Sequence, residues 1–254
     1  MKWASLTSAG IDAFDRSVPV ILNLAAIEQH GPHLPLETDA RIGALFLDEL
    51  DRRAPDAQLI LPPVVMCCSD HHMDFAGTLT VPHLVVHDYT LAILASVARH
   101  GFKNIILFNS HGGNQGIAQV ILERFGAGHP EQRIVLATWW NLARAELRAL
   151  SDSGPMGTGH ACELETSLMA YAGAVTDAAA TPHGECFNSL FDWADGSMLY
   201  PPPVSVFRTM KDISGGSGVV GTPELASPEK GKEIVALVVN ELQRIVSDLR
   251  TAKR

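Results

Sequence analysis

Short apolar, β-branched runs alternate with longer amphipathic ones along most of the chain, and this alternation restricts the fold more than any other feature. Residues 18–26 and Asn104–Asn109 are apolar at successive rather than alternate positions, as in strands buried on both faces. Residues 59–66 and Arg133–Thr138 read as two further strands, the first made irregular by Pro62-Pro63. Between them the apolar period changes to that of helices. The expected spans are 39–53 with Thr38 as N-cap, 87–100 stopped by Gly101, 115–125, 160–172 and 229–249. Strand-helix alternation of this kind predicts one α/β domain over residues 1–254, a mostly parallel sheet with helices on both faces. Residues 151–159 and 181–228 fit neither period, and loops of that length commonly carry function or an oligomer contact.

The 254 residues, 46% hydrophobic, suffice for one sizeable core. A net charge of -9, with basic residues clustered only at Arg250, Lys253 and Arg254, argues against nucleic acid and anionic membrane as partners. No apolar run reaches the roughly 20 residues of a membrane span, and none near Met1 resembles a secretory leader. Cys67, Cys68, Cys162 and Cys186 lack metal-knuckle or disulfide-scaffold spacing. They predict free thiols in a reducing cytoplasm.

Ligands of open parallel sheets bind beyond the carboxyl ends of the strands, and the chemically versatile residues of this chain gather there. Glu28-Gln29-His30-Gly31-Pro32-His33 follows the first strand, with Asp39 opening the next helix. Asn109-Ser110-His111-Gly112-Gly113-Asn114 follows another strand, and His160-Ala161-Cys162-Glu163-Leu164-Glu165 opens a later helix. Hydrolytic metal pairs stand roughly 3.5–4 Å apart and are bridged by a carboxylate. Imidazole and carboxylate ligands suit zinc, manganese or iron. His33, beside Leu34-Pro35, is expected to be a loop histidine. On a helix, Glu163 shares the face of His160 at about 60°, whereas Glu165 is turned about 140° away.

The pattern Glu28-x-His30-Gly31-x-His33-Leu34-Pro35-Leu36-x-Thr38-Asp39 resembles the creatininase (creatinine amidohydrolase) family. So do Asn109 to Asn114 and Gly159-His160-Ala161-x-Glu163-x-Glu165-Thr166-Ser167. Phe75-Ala76-Gly77-Thr78-Leu79-Thr80 is similar to the family's substrate-side loop, and Gly218-Val219-x-Gly221 with Ala226-Ser227-x-x-Lys230-Gly231 extends the likeness. The resemblance implies Glu28, His30, Asp39 and His111 as ligands of two divalent ions, Asp39 bridging them. It implies His160 as the catalytic histidine, with Glu165 as a further catalytic group. Trp140, His72 and Ser69 are implied on the substrate side. Creatinine-cleaving members carry a metal-binding Glu where this chain has Gly113; Glu163, on the His160 face, is the expected replacement, with Glu165 as its rival.

The implied activity is a hydrolase whose metal-activated water attacks a small amide or cyclic carbonyl compound, His160 protonating the leaving nitrogen. A peptidase role in peptide maturation is the alternative within the family. A metal-stabilised binding protein without turnover is the alternative outside it. The resemblance, with the apolar-sprinkled segment 187–206 (Leu190, Phe191, Trp193, Tyr200), also implies a homo-oligomer, by family likeness a hexamer; the alternative for that segment is a lid over the chain's own active site.

Overall fold

Four parallel strands form the centre of the molecule: β1 (Val20–Leu24), β2 (Leu59–Ile60), β3 (Asn104–Asn109) and β4 (Arg133–Thr138), in the order β2-β1-β3-β4. Ile21 lies opposite Ile60 and Ile106, and Ile106 opposite Val135. The structure, a computed structural model, describes residues 1–175, 177–184 and 191–252. Helices α1 (Ser8–Asp12), α2 (Thr38–Arg53), α3 (His83–Arg99), α4 (Gln115–Gly128), α5 (Trp139–Leu142), α6 (Arg144–Leu150), α7 (Glu163–Tyr171), α8 (Met210–Ile213) and α9 (Pro228–Thr251) follow in chain order.

Successive strand residues point to opposite faces, so the unbroken apolar runs serve two cores at once. Ile21, Ile106 and Phe108 pack with Ile42, Phe46 and Leu50 of α2 and with α7 and α9. Val20, Leu22, Leu24, Ile105 and Leu107 pack on the other face with Val86, Leu94 and Val97 of α3 and Ile117, Ile121 and Phe125 of α4. The result is the expected single-domain α/β fold with helices on both faces of a parallel sheet. No helix among the described residues is long and apolar enough to cross a membrane.

Several element boundaries differ from the sequence reading, each for a local reason. β2 stops at Ile60, because Pro62 and Pro63 cannot donate to a ladder, and only a bridge from Val64 to Leu24 continues it. Glu37, not Thr38, holds the N-cap position of α2, and the Thr38 hydroxyl instead donates to the Pro35 carbonyl at 2.6 Å. α3 begins at His83, directly after Pro82. The largest departure is at His160, which is not helical. It ends β5 (Thr158–His160), whose antiparallel partner is β6 (Val220–Gly221). Ala161 then takes a positive φ of 50° and Cys162 is extended, so α7 starts only at Glu163.

The Lys230-Gly231 motif has a packing reason. A Cβ at Gly231 would fall 2.1 Å from the Ser167 carbonyl oxygen, so α9 can approach α7 this closely only with glycine there. Ser227 caps α9 by accepting from the Lys230 amide at 3.1 Å. Cys67, Cys68 and Cys162 are buried free thiols, and Cys186 lies outside the described residues.

Candidate metal centre

Four segments deliver polar side chains to one buried spot beyond the carboxyl ends of β1 and β3. The loop after β1 folds back on itself, the Glu28 amide donating to the Leu36 carbonyl at 3.0 Å, which turns Glu28 and His30 towards Asp39 in the first turn of α2. The Asn109 side chain stitches the turn after β3, donating to the His111 carbonyl at 2.9 Å and accepting from the His111 amide at 3.3 Å. Ser69 and His72 come from the 3₁₀ turn after β2, and His160 from β5. Glu28, His30, Asp39, His72 and His111 are each at most 2% exposed.

The hydrogen bonds of three imidazoles define what the spot can hold. His30 Nδ1–H donates to the Glu28 carbonyl at 3.1 Å, His111 Nε2–H to the Cys68 carbonyl at 2.9 Å, and His160 Nε2–H to the Gln29 carbonyl at 2.8 Å. Each ring gives one N–H to backbone and turns its other nitrogen on the carboxylates, the arrangement that orients metal-binding histidines. His30 Nε2 stands 3.5 Å from Asp39 Oδ1. His111 Nδ1 stands 2.9 Å from Asp39 Oδ2 and 3.3 Å from Glu28 Oε1, and His160 Nδ1 stands 3.8 Å from Glu28 Oε1. Among the described residues, Glu28 Oε2, His30 Nε2 and Asp39 Oδ2 are buried without a hydrogen-bond partner. Lone pairs facing lone pairs in a dry site need a cation between them, and buried unpaired polar atoms are costly otherwise.

In the protein without metal, protons take that place. Burial opposes the charged form of His30, yet Asp39, Glu165 and Glu28 together hold its imidazole up at about 9. His111 is likewise raised despite burial, by Glu28 and Asp39. Burial pushes the two carboxyls up, but the histidines outweigh it and hold both Asp39 and Glu28 below the usual carboxylate range. His160, buried and repelled by His30, is lowered to about 3 and stays neutral. Burial lifts Glu165 to about 7.

Groups of donors close enough to share an ion are Glu28, His30 and Asp39; His30, His160 and Glu165; Glu28, His72 and His160; and Glu28, His71 and His111, each set within 4.8 Å. Glu28, His30, Asp39 and His111 are therefore brought together as the sequence suggested. Glu163 is not. Its carboxylate is fully buried elsewhere, accepting from the Ser151 hydroxyl at 2.7 Å, the Asp152 amide at 3.1 Å and the Ser153 amide at 3.1 Å, and from the ammonium of Lys230. The helical phase counted from His160 fails because Ala161 and Cys162 are not helical. Glu165 comes round to His30 and His160 instead, steadied by the Ala161 amide at 2.6 Å.

His72 differs from the other histidines. Its Nδ1 accepts from the Gln29 amide nitrogen at 2.9 Å, so its proton is on Nε2, facing Glu28 Oε1 at 3.3 Å. Ser69 is buried against His111 Nε2 at 3.4 Å. His33 is fully buried with Nε2 at 2.9 Å from the Thr166 hydroxyl, a structural role matching its loop-histidine reading. Gln29 and His71 were not singled out in the sequence. Gln29 sits between two motif residues and is set by its neighbours, and His71 carries no motif signal of its own.

A cavity of about 290 Å³ opens beside the cluster, lined by His160, Trp140, Gln115, Arg144, Met198 and Pro202 among others. His160 is shared by cluster and cavity. Arg144 is the one Lys, Arg, Asp or Glu among the described lining residues, and its buried Nε has no hydrogen-bond partner.

A 3-dehydro-scyllo-inosose hydrolase of Thermotoga maritima is 25% identical over 91% of this chain and 77% of its own length. A mycofactocin precursor peptide peptidase of Mycobacterium tuberculosis is 27% identical over 91% of this chain and 85% of its own. A solved mutant creatininase, Zn-Zn type, shares the fold with a TM-score of 0.82 at 21% identity, covering 99% of this chain and 98% of that one. The family model described as Creatininase, creatinine amidohydrolase, matches residues 4–246, and the chain belongs to that family.

Proposed function

We propose that this chain is a dinuclear metal-dependent hydrolase acting on a small amide or cyclic carbonyl compound. The observation that carries the reading is the set of three imidazoles, each tied to a backbone carbonyl through one nitrogen and presenting the other to buried carboxylates. Glu28, Asp39 and His111 would hold one ion; His30, Asp39 and Glu165 would hold the other, Glu165 replacing Glu163. Zinc, manganese and iron suit this donor set. The ions, when bound, activate water near neutral pH and polarise a carbonyl oxygen.

The protein's own groups then have distinct tasks. Trp140 and the segment containing Met198 and Pro202 wall the cavity and offer an apolar surface to a bound substrate. His160 meets both cavity and cluster. Its Nδ1, neutral in the resting protein, takes up a proton and returns it to the leaving nitrogen, while Gln29 holds the ring through Nε2. His72 and Gln29 form a chain that orients Glu28. The cavity is open to solvent on one side, and Arg144 on its wall suits a substrate with an anionic or acceptor-rich end.

Purified without chelator, the protein is expected to hold about two divalent ions per chain by elemental analysis. A panel of cyclic amides, formamides, cyclic ketones and short peptides should reveal a hydrolysed member, with turnover lost on chelation and restored by Mn²⁺ or Zn²⁺. Two bound ions with no turnover of any member would favour a binding protein. Turnover of peptides alone would favour the peptidase reading, and no metal uptake would end the proposal.

The same proposal includes a homo-oligomer in a reducing cytoplasm, which suits the unpaired Cys67, Cys68 and Cys162. Phe191 and Trp193 stack at 4.7 Å and are both exposed, and Val204, Val206 and Phe207 are exposed as well, apolar side chains of the kind that oligomers bury. Tyr200 is instead covered by the Arg148 guanidinium, and Phe187 and Leu190 lie outside the described residues. Light scattering at low concentration should give a multiple of the chain mass; a monomer mass would count against it.

A further inference from the structure

Gly113 and His71 are complementary. A Cβ at position 113 would lie 2.2 Å from the Cys68 carbonyl oxygen, 2.5 Å from His111 Nε2 and 2.9 Å from His71 Cε1. The first two distances mean that a side chain there would break the hydrogen bond that fixes the His111 tautomer. The third means that the His71 ring already occupies the space. His71 stands on the 3₁₀ turn Asp70–His72, half-buried, its plane 18° from that of His111 at 5.9 Å and edge-on to His72 at 4.3 Å. One of its nitrogens shares a 4.8 Å sphere with a Glu28 oxygen and a His111 nitrogen. No hydrogen bond among the described residues holds the His71 ring.

We propose that His71 is an additional protein ligand of the ion held by Glu28, Asp39 and His111, reaching it through the space that Gly113 leaves open. This rests on the metal-centre reading above. Two donors at about 2.1 Å from one ion are roughly 3–4 Å apart, so a modest side-chain rotation brings the ring in. The consequence is an asymmetric pair. With four protein donors, the first ion is close to a closed coordination shell, whereas three donors at the second leave a position open. His160, which lines the substrate cavity, stands beside the second site next to His30 and Glu165, while His71 borders a separate cavity of about 300 Å³ with His83 and Phe207. Substrate therefore meets the second ion, and His71 shields the first from the opposite side.

Cobalt is a direct probe, because its visible absorption reports donor type and number. Wild type, His71→Ala and His71→Phe are titrated with Co²⁺ after metal removal. Phe keeps an aromatic ring against His111 but supplies no nitrogen. Both variants should bind the tighter Co²⁺ at least roughly a hundredfold more weakly, beyond the 10–100-fold typical of outer-shell changes. Their spectra should shift, and added imidazole should partly restore His71→Ala. Matching melting temperatures of the metal-free proteins establish that the fold is kept. Wild-type affinity and spectrum in His71→Phe would overturn the proposal, leaving only a stacking role. Absence of Co²⁺ uptake by the wild type would instead overturn the metal-centre reading itself.

Discussion

His111→Ala is expected to abolish hydrolysis and, together with it, to empty the ion site that His111 shares with Glu28 and Asp39. The ring faces both Glu28 and Asp39 through Nδ1, so its loss removes a donor from the ion that those carboxylates share. Changing an outer-shell partner already costs 10–100-fold in affinity, so loss of the donor itself should exceed about a hundredfold. His33→Ala is the control from the same motif. Among the described residues its ring hydrogen-bonds only Thr166, so the expected cost is stability of about 1–3 kcal/mol, with metal content unchanged. Equal metal loss in both variants would show that the ligand set is misassigned.

The same geometry sets a pH dependence for metal uptake. His30 sits at about 9 in the metal-free protein, so below that pH a cation must displace its proton. Apparent affinity should fall about tenfold per pH unit for that proton, more steeply where His111, also raised, contributes a second. Titrations between pH 6 and pH 8 read the slope directly, and a flat profile would mean that His30 is not displaced.

The parts of this molecule governed by local chemistry are legible in its sequence. The apolar runs at β1, β3 and β4 are uninterrupted because both sheet faces are covered, and that pattern is legible without coordinates. Glu28, His30 and Asp39 were legible as one group because a single turn of chain separates them. What was hidden depends on contacts between distant segments. β6 pairs with β5 from 60 residues away, and neither is long enough to show a period. His71 gains meaning only once Gly113 is seen packed against the Cys68 carbonyl. The phase of α7 was lost for a different reason. Alanine seldom adopts positive φ, and nothing in His160-Ala161-Cys162-Glu163 announces that Ala161 does so.

That single backbone angle decides the last expectation, a reversal of roles between two neighbouring glutamates. Were the helix to begin at His160, Glu163 would face the metals; because it begins at Glu163, the carboxylate is carried to Lys230 and the 151–153 turn. Glu165 is carried to His30 and His160. Glu163→Gln should therefore keep both ions. It removes one of the two carboxylates on the Lys230 ammonium, Asp152 remaining at 2.6 Å, so the cost is that of a charge-assisted hydrogen bond, about 1.5–3 kcal/mol, read as a lower denaturant midpoint. Glu165→Gln should do the opposite. Burial favours the neutral form of this carboxyl, so an amide of the same shape is tolerated in the metal-free fold, but the donor set of the second ion is reduced to His30 and Asp39. The expected result is one ion per chain instead of two, with turnover down by at least roughly a hundredfold. Metal counts on the two purified variants distinguish the assignments: an ion lost from Glu163→Gln and kept by Glu165→Gln would refute the one proposed.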